Sequence, residues 1–529
     1  MVQYLNNNTS GFQQFMAQKD TKGGAFGTFV WVVIALLAGW LAYTWLAPDP
    51  GTKSRAQTTD TVIADDDISN VPTWQLTDTT IGALVQGLRI SGISLNLYQQ
   101  EYGGKESVKL LGGAREFIEV GLLANGTAAP NAEAVWEKSK DEQINPITLF
   151  WRNSDGVEFV RVISIENYVI TVRDEIRNGG DRDISFAPYA RVVSTKDAPG
   201  RAGVANGAVA FANKSIERED WRRLEKKSYT FGTDFGFVGF ESQYWETIAM
   251  VGATDQTIRM KMLSNGIYQT DAIAGAINVP AGKTAAIDTK IYAGPKDQHA
   301  LSVAAAAMPG IEQTIDYGWF WFLARPFLWA INALNSVVGN YGVAIILFTI
   351  LLRVLMWPLT KKSFTGMAAM QKMQPEMQRI QKLYANDKLR LQQEMMRLYQ
   401  TNKTSPMSGC LPMMLQIPIF FALYKALLIS LPMRHSDFLW IQDLAVMDTY
   451  FILPLLMGAT MWWQQRLQTV GAGAQSVDSS NPMAQTQKFM RWVPLLFVAM
   501  FAWMPAGLVL YWTVSNLFGV GQMWIIRKK

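Results

Sequence analysis

The stretch YGVAIILFTILLRVLMWPLT, residues 341–360, decides how the chain is read. A membrane-spanning helix takes about 20 mostly apolar residues, and this run supplies them with a single charge, Arg353. An arginine inside a span costs at least about 2.5–3.5 kcal/mol on insertion scales. Eight residues of helix separate it from Lys361, or about 12 Å along the axis. Two readings stand. The side chain snorkels to the nearby interface, or it faces a water-filled cavity open to one side, where hydration lowers the cost.

Further apolar runs follow at 407–431, 450–466, 489–505 and 506–526, and one precedes, the uncharged FGTFVWVVIALLAGWLAYTWLA of 26–47. Cleavage of that first run after Ala47 would leave Trp45 at position −3, where a signal peptidase needs a small residue, so it reads as an uncleaved anchor. Six spans are expected. Lys and Arg gather in 361–406, in 464–491 around the 467–488 loop (Arg466, Lys488 and Arg491) and in 527–529, whereas 432–449 holds Arg434 against Asp437, Asp443 and Asp448. The positive-inside bias therefore places the basic loops, the segment 1–25 and both termini in the cytoplasm. The 489–505 run, with Pro494 inside, is near the lower limit for spanning and implies a locally thinned bilayer. Residues 311–340 carry Trp319, Phe322, Pro326, Trp329 and Ala333 at steps of three to four, which suits an amphipathic helix lying in the interface.

The remainder has another character. Residues 48–75 are polar and turn-rich and read as a linker. From 76 to 310 short alternating bursts such as LRISGISLNLY, EFVRVISIENYVITVRDEI and TIRMKML are separated by turn signals such as NSDG and LSNG, the mark of a β-sandwich-like domain. Composition narrows function. The 529 residues are 49% hydrophobic and only 17% charged, with a net charge of +5, against about a quarter charged in a typical domain. One cysteine, Cys410, and two distant histidines, His299 and His435, argue against a disulfide scaffold, a thiolate or histidine-rich metal site, and histidine catalysis. No phosphate loop, calcium loop or paired intramembrane carboxylates occur, so neither a metal nor a cofactor is expected, and nucleotide- or proton-driven transport is disfavoured.

Three features carry the chemistry. Arg353 is the first. In the next span Pro412 and Pro418 kink the helix around Gln416; that Gln either bonds to another helix or, with Thr349 and Arg353, lines a wet groove. In 361–406, Met370, Met373 and Met377 step by three and four before a turn at Ala385-Asn386-Asp387 and a returning helix, giving a basic helical hairpin. It reads as a self-packed pair, or as a soft methionine surface for an emerging apolar chain, with a charge suited to ribosomal RNA but to no particular nucleic-acid sequence.

The motifs LLRVLMWPLT (351–360), QEMMRLY (393–399), GCLPMMLQIPIFFALY (409–424), YFILPLLMG (450–458) and WMPAGLVLYWTVSN (503–516) resemble, in order and spacing, the YidC family of bacterial membrane protein insertases, with mitochondrial and chloroplast relatives. The anchor and outer β-domain are similar in architecture to its longer, Gram-negative form. The resemblance implies a multi-pass α-helical protein of the bacterial inner membrane, with a five-helix insertase core and cytoplasmic helical hairpin, plus a large periplasmic β-supersandwich domain. It implies insertion of hydrophobic segments and assistance in their folding without covalent chemistry. Its implied partners are nascent membrane proteins, the Sec translocon with its accessory subunits, the ribosome and the bilayer. By the same resemblance Arg353, Thr349, Gln416 and Trp512 line a hydrophilic groove, and Phe420, Met457 and Met500 form the apolar slide for a substrate helix. Some members have an aromatic residue near Met500, and tyrosine is commoner at the position of Trp512. A transporter or flippase, a tethered sugar-acting enzyme and a pure scaffold are the competing readings; the first lacks an inverted repeat or acidic coupling residues, the second a signature of converging carboxylates or histidines.

Overall fold

The computed structural model describes residues 68–113, 115–140, 143–195, 205–263, 266–385, 387–402, 411–469 and 482–528. The expected anchor at 26–47, the segment before it, residues 48–67 of the linker and part of the 467–488 loop lie outside the described residues. The chain divides into two compact units.

The first unit is built of β1 (Thr73–Thr77), β2 (Ile81–Gln86), β3 (Arg89–Gln99), β4 (Ser107–Leu110), β5 (Phe117–Asn125), β6 (Glu137–Lys138), β7 (Ile147–Arg152), β8 (Val157–Glu166), β9 (Val169–Asn178), β10 (Ile184–Thr195), β11 (Gly207–Ala212), β12 (Ser215–Asp220), β13 (Tyr229–Thr233), β14 (Phe237–Glu241), β15 (Trp245–Val251), β16 (Gln256–Met262), β17 (Ile267–Ile273), β18 (Ile277–Val279) and β19 (Thr284–Pro295), with short helices α1 (Trp221–Leu224) and α2 (Gln298–Ala304). One ten-stranded sheet runs β1-β2-β3-β5-β10-β17-β16-β13, with β4 on β3 and β18 on β10. A nine-stranded sheet runs β12-β11-β14-β15-β19-β9-β8-β7-β6. Alternation makes the strands: along β10, Ile184, Phe186, Pro188, Ala190 and Val192 are buried and the residues between them half-exposed. Tight turns set the register. Asn167 and Tyr168 both take positive φ, 48° and 68°, in the two-residue turn joining β8 to β9, and Asn213 and Lys214 do so between β11 and β12, as type I′ hairpins require.

Both sheets contribute to a single apolar core, and one charge crosses it. Arg161 of β8, 2% exposed, donates from Nε to Asp174 Oδ1 at 2.7 Å and from Nη2 to Asp174 Oδ2 at 2.9 Å. It also donates to the Val120 carbonyl on the facing sheet at 2.9 Å. Its guanidinium carbon lies 5.2 Å from the Trp136 ring centroid. Nearer the domain's C-terminal end, the cross-strand partners Glu241 and Glu246 are both buried. Glu241 is paired with Lys296 and with Arg218, the latter at 2.7 Å. Among the described residues Glu246 accepts only from Thr314 Oγ1, at 3.1 Å, and its Oε2 has no partner.

The second unit is helical: α3 (Trp321–Val338), α4 (Tyr341–Leu355), α5 (Trp357–Leu383), α6 (Lys388–Thr401), α7 (Leu411–Ile429), α8 (Ile452–Thr469), α9 (Pro482–Phe501) and α10 (Ala506–Lys528). The helix expected across 311–340 starts instead at Trp321, after a 3-10 turn at Ile311–Thr314. The run 341–360 is not one straight helix. It stops at Leu355 and resumes at Trp357 with a bend of 60°, because Pro358 has no N–H to donate to the preceding turn. Among the described residues no single helix is long and apolar enough to cross a membrane, though the bent pair 341–355 and 357–366 reaches that length together. Shorter apolar helices occupy 414–429 and 492–501. Helices α8 and α9 touch where a Cβ on Gly458 would fall inside the Val498 Cγ2 methyl.

Two outcomes follow. Removing one partner of a buried ion pair strands the other charge. Asp174→Ala alone should cost about 3–5 kcal/mol, read from native-state hydrogen exchange of the β8 and β9 amides, and Arg161→Met with Asp174→Leu should cost less than either single change. Burial pushes the Glu246 carboxyl up from 4.5 to about 8, with Lys296 pulling the other way. The folded domain thus holds a proton that the unfolded chain releases above about pH 4.5, and stability should fall as pH rises from there to about 8. Glu246→Gln should flatten that slope, measured by thermal unfolding across the same range.

Candidate functional site

The site grows from the one charge on α4. Asn340 caps this helix, its Oδ1 accepting from the Val343 amide at 3.1 Å. The apolar residues that follow bury Ala344, Ile345 and Phe348 in the helical core. Thr349 and Arg353 are one turn apart on one face. Thr349 is fully buried and spends its hydroxyl on its own helix, donating to the Ile345 carbonyl at 2.6 Å.

Arg353 is half-buried, and its Nε donates to Ser515 Oγ of α10 at 2.6 Å. Among the described residues it has no acidic partner. One turn back on α10, the Tyr511 hydroxyl accepts from Gln416 Nε2 of α7 at 2.8 Å. Ser515 and Tyr511 are each 1% exposed. Arg353, Ser515, Tyr511 and Gln416 thus bring polar groups of three apolar helices to one side of α10. A cation held by a hydroxyl rather than a carboxylate keeps its full charge and several free N–H donors. Such a group attracts an anion or a polar chain and holds water.

Trp512 turns the other way. Its ring lies 5.3 Å from Phe420, 5.0 Å from Phe501 and 5.8 Å from Phe497, in an aromatic cluster of α7, α9 and α10. Phe420 also stacks on Tyr424 at 6.3 Å. The structure therefore groups Arg353, Thr349 and Gln416 on one side and Trp512 with Phe420 on the other. Of the remaining slide residues, Met457 is fully buried in the core and Met500 is 38% exposed. In the hairpin, Met373 and Met377 are buried and Met370 is half-buried, so this stripe packs inward. Asp387 caps the returning helix through the Arg390 amide at 3.1 Å. Tyr511 and Ser515 are the site residues a reading of the chain alone passes over. Their i, i+4 spacing within YWTVS puts both on one helical face, and that was the available signal. Among the described residues no group of His, Cys, Asp or Glu is placed to hold a metal ion.

Comparison with known proteins agrees in both units. Residues 333–529 match a family profile described as 60Kd inner membrane protein, and residues 77–330 match one described as YidC periplasmic domain. The class is thus that of inner membrane proteins with a periplasmic β-domain. A "Membrane protein insertase YidC" of Mesorhizobium japonicum is 35% identical over 453 residues, 78% of this chain and 73% of that protein. Its namesake in Magnetococcus marinus is 32% identical over 466 residues, 84% and 81%. The chain belongs to the YidC family. Among solved structures, a galactose mutarotase related enzyme of Lactobacillus acidophilus aligns with 42% of this chain and 97% of its own length, at 8% identity and a TM-score of 0.32.

If Ser515 positions the arginine, the two should be energetically coupled. A hydrogen bond to a charged group contributes about 1.5–3 kcal/mol. Ser515→Ala should destabilise the helical unit by about that amount, and the same change in an Arg353→Met background should cost markedly less. Unfolding of the detergent-solubilised chain, run as a double-mutant cycle, measures the coupling.

Proposed function

We propose that this chain is a membrane protein insertase. It moves hydrophobic segments of nascent proteins into the bacterial inner membrane through a hydrophilic groove open to the cytoplasm, and assists their folding, without covalent chemistry. The observation that carries the reading is Arg353: a guanidinium in an apolar helix, hydrogen-bonded to Ser515, with no acidic partner among the described residues.

In this reading the helical unit lies in the inner membrane with six spans and both termini in the cytoplasm, while the β-domain faces the periplasm. The bent pair of α4 and α5 forms one of the spans and carries the chain out into the basic hairpin. Arg353, Thr349 and Gln416 form the groove, joined by Tyr511 and Ser515. The cation draws in the polar flank of an arriving chain and keeps water at a depth where lipid would exclude it, which shortens the apolar distance that flank must cross. Phe420, Met500 and Trp512 supply an apolar side along which the substrate helix leaves for lipid, with Met457 packed behind them. That exit is driven by removal of apolar surface from water, so no nucleotide is needed. The names borne by relatives support this activity; the Sec translocon and the ribosome as partners rest on the family resemblance and on the basic hairpin.

The test is insertion of a short, acidic-tailed, single-span protein into proteoliposomes containing the purified chain. With equal amounts of folded protein, Arg353→Ala should lower insertion at least about tenfold, the equivalent of about 1.4 kcal/mol. Arg353→Lys should retain most of it. Equal insertion by the alanine variant would remove Arg353 from the mechanism.

A further inference from the structure

Helix α10 carries a polar stripe that continues past the arginine site. Tyr511, Ser515 and Gln522 are spaced by four and seven residues, which keeps all three within about 40° on the helix surface. Arg353 of α4 meets the stripe at Ser515. Trp357, the first residue of α5, meets its flank at Phe518, with ring centroids 6.4 Å apart. Gln522 comes one turn further, about 10 Å beyond Ser515 along the axis, toward the basic end Arg527-Lys528-Lys529.

Tyr511 and Ser515 each have a partner, Gln416 and Arg353. Gln522 is only 2% exposed, and neither its Nε2 nor its Oε1 makes a hydrogen bond among the described residues. The adjoining seam with α8 is engaged elsewhere. Asn516 Nδ2 donates to Thr460 Oγ1 at 3.4 Å, and Gln464 reaches Gly519, where a Cβ would fall 2.7 Å from its Nε2.

A buried donor and acceptor left together without partners disfavour the packing that encloses them, and native structures keep few such groups. A leucine, of similar size, would fill the same place without that cost. The cost is recovered when something presents an N–H and a C=O side by side. An extended peptide does this: the N–H and C=O of one residue point to the same side, as in a hydrogen-bonded pair of antiparallel strands. Such recognition is independent of sequence, because every residue except proline carries both groups. A neutral amide has no particular attraction for an ion, and Arg353 already supplies charge.

We infer that Gln522 is a second contact for the arriving chain. The inference rests on the insertase reading. The Gln522 amide takes the backbone N–H and C=O of one residue in the polar flank, about three extended residues from the part held at Arg353. Gln522 is closed off at rest, so it is reached when this end of α10 loosens from its neighbours, and the two bonds gained on contact favour that opening.

The experiment compares Gln522→Leu with the native chain in two readouts, thermal unfolding in detergent and insertion of the acidic-tailed, single-span protein into proteoliposomes. Removing the unpartnered amide should raise the unfolding temperature by about 2–4 °C and lower insertion about five- to tenfold. A residue that merely holds helices together would lower both. Gln522→Cys, combined with Cys410→Ser, should form a disulfide with a cysteine placed about three residues from the acid in the substrate's flank, and not with one in its apolar span. A lower unfolding temperature for the leucine variant overturns the inference, because the amide is then already satisfied at rest, by water or by the chain. Unchanged insertion overturns it too, as does lowered insertion without the disulfide. Full insertion by Arg353→Ala, with the leucine defect and the disulfide both present, removes the arginine and leaves the Gln522 contact standing. A native chain that inserts nothing removes the insertase reading and this contact together.

Discussion

A charge taken out of water must be answered by something, and how each charge is answered organises both halves of this molecule. In the β-domain Arg161 is deep in an apolar core. Asp174 meets it with both oxygens, and a carbonyl of the facing sheet takes a further N–H. Because that carbonyl belongs to Val120 on β5, the pair also fixes how one sheet lies on the other. Slipping either strand by one residue would put the guanidinium on the wrong face. In the helical unit Arg353 receives a serine hydroxyl instead. The contrast is chemical. A carboxylate neutralises its partner and ends the matter, whereas a hydroxyl orients the cation and leaves its charge for something else to meet.

The same logic explains why α4, α7 and α10 meet as they do. Leu423, Leu427, Ile345 and Val509 would let these helices pack in many rotations, since apolar contact is non-directional. Hydrogen bonds from Gln416 to Tyr511 and from Arg353 to Ser515 select one. Adjacent positions on α10 then face apart, so Tyr511 joins the polar side and Trp512 the ring cluster with Phe420 and Phe501.

Much of this was legible in the chain. The alternation in VEFVRVISIE and VITVRDEIRN announces β8 and β9 and even marks Arg161 and Asp174, but only as members of strands. That they meet depends on the register set by the Asn167-Tyr168 turn, and two consecutive positive φ values at such residues are not foretold by composition. The lone charge of 341–360 identified the candidate site at once. Its partners were harder, because Tyr511 and Trp512 look alike as large aromatic residues, and a shift of one position, about 100° around a helix, separates a polar site from a ring cluster. The methionine stripe of the hairpin shows the same limit: a three-and-four step specifies a face without saying whether that face meets a partner or its own returning helix.

The bend after Leu355 has a mechanical side. Met356 closes α4 and opens α5, so a single residue joins the helix bearing Arg353 to a helix of 27 residues. That second helix is about 40 Å long at 1.5 Å per residue. With no loop to absorb motion, it acts as a lever with its fulcrum at Met356. A turn of about 10° at that joint sweeps the far end through about 7 Å on this arm. Conversely, a modest load on the tip near Leu383 arrives at the joint as torque, a few residues from the guanidinium.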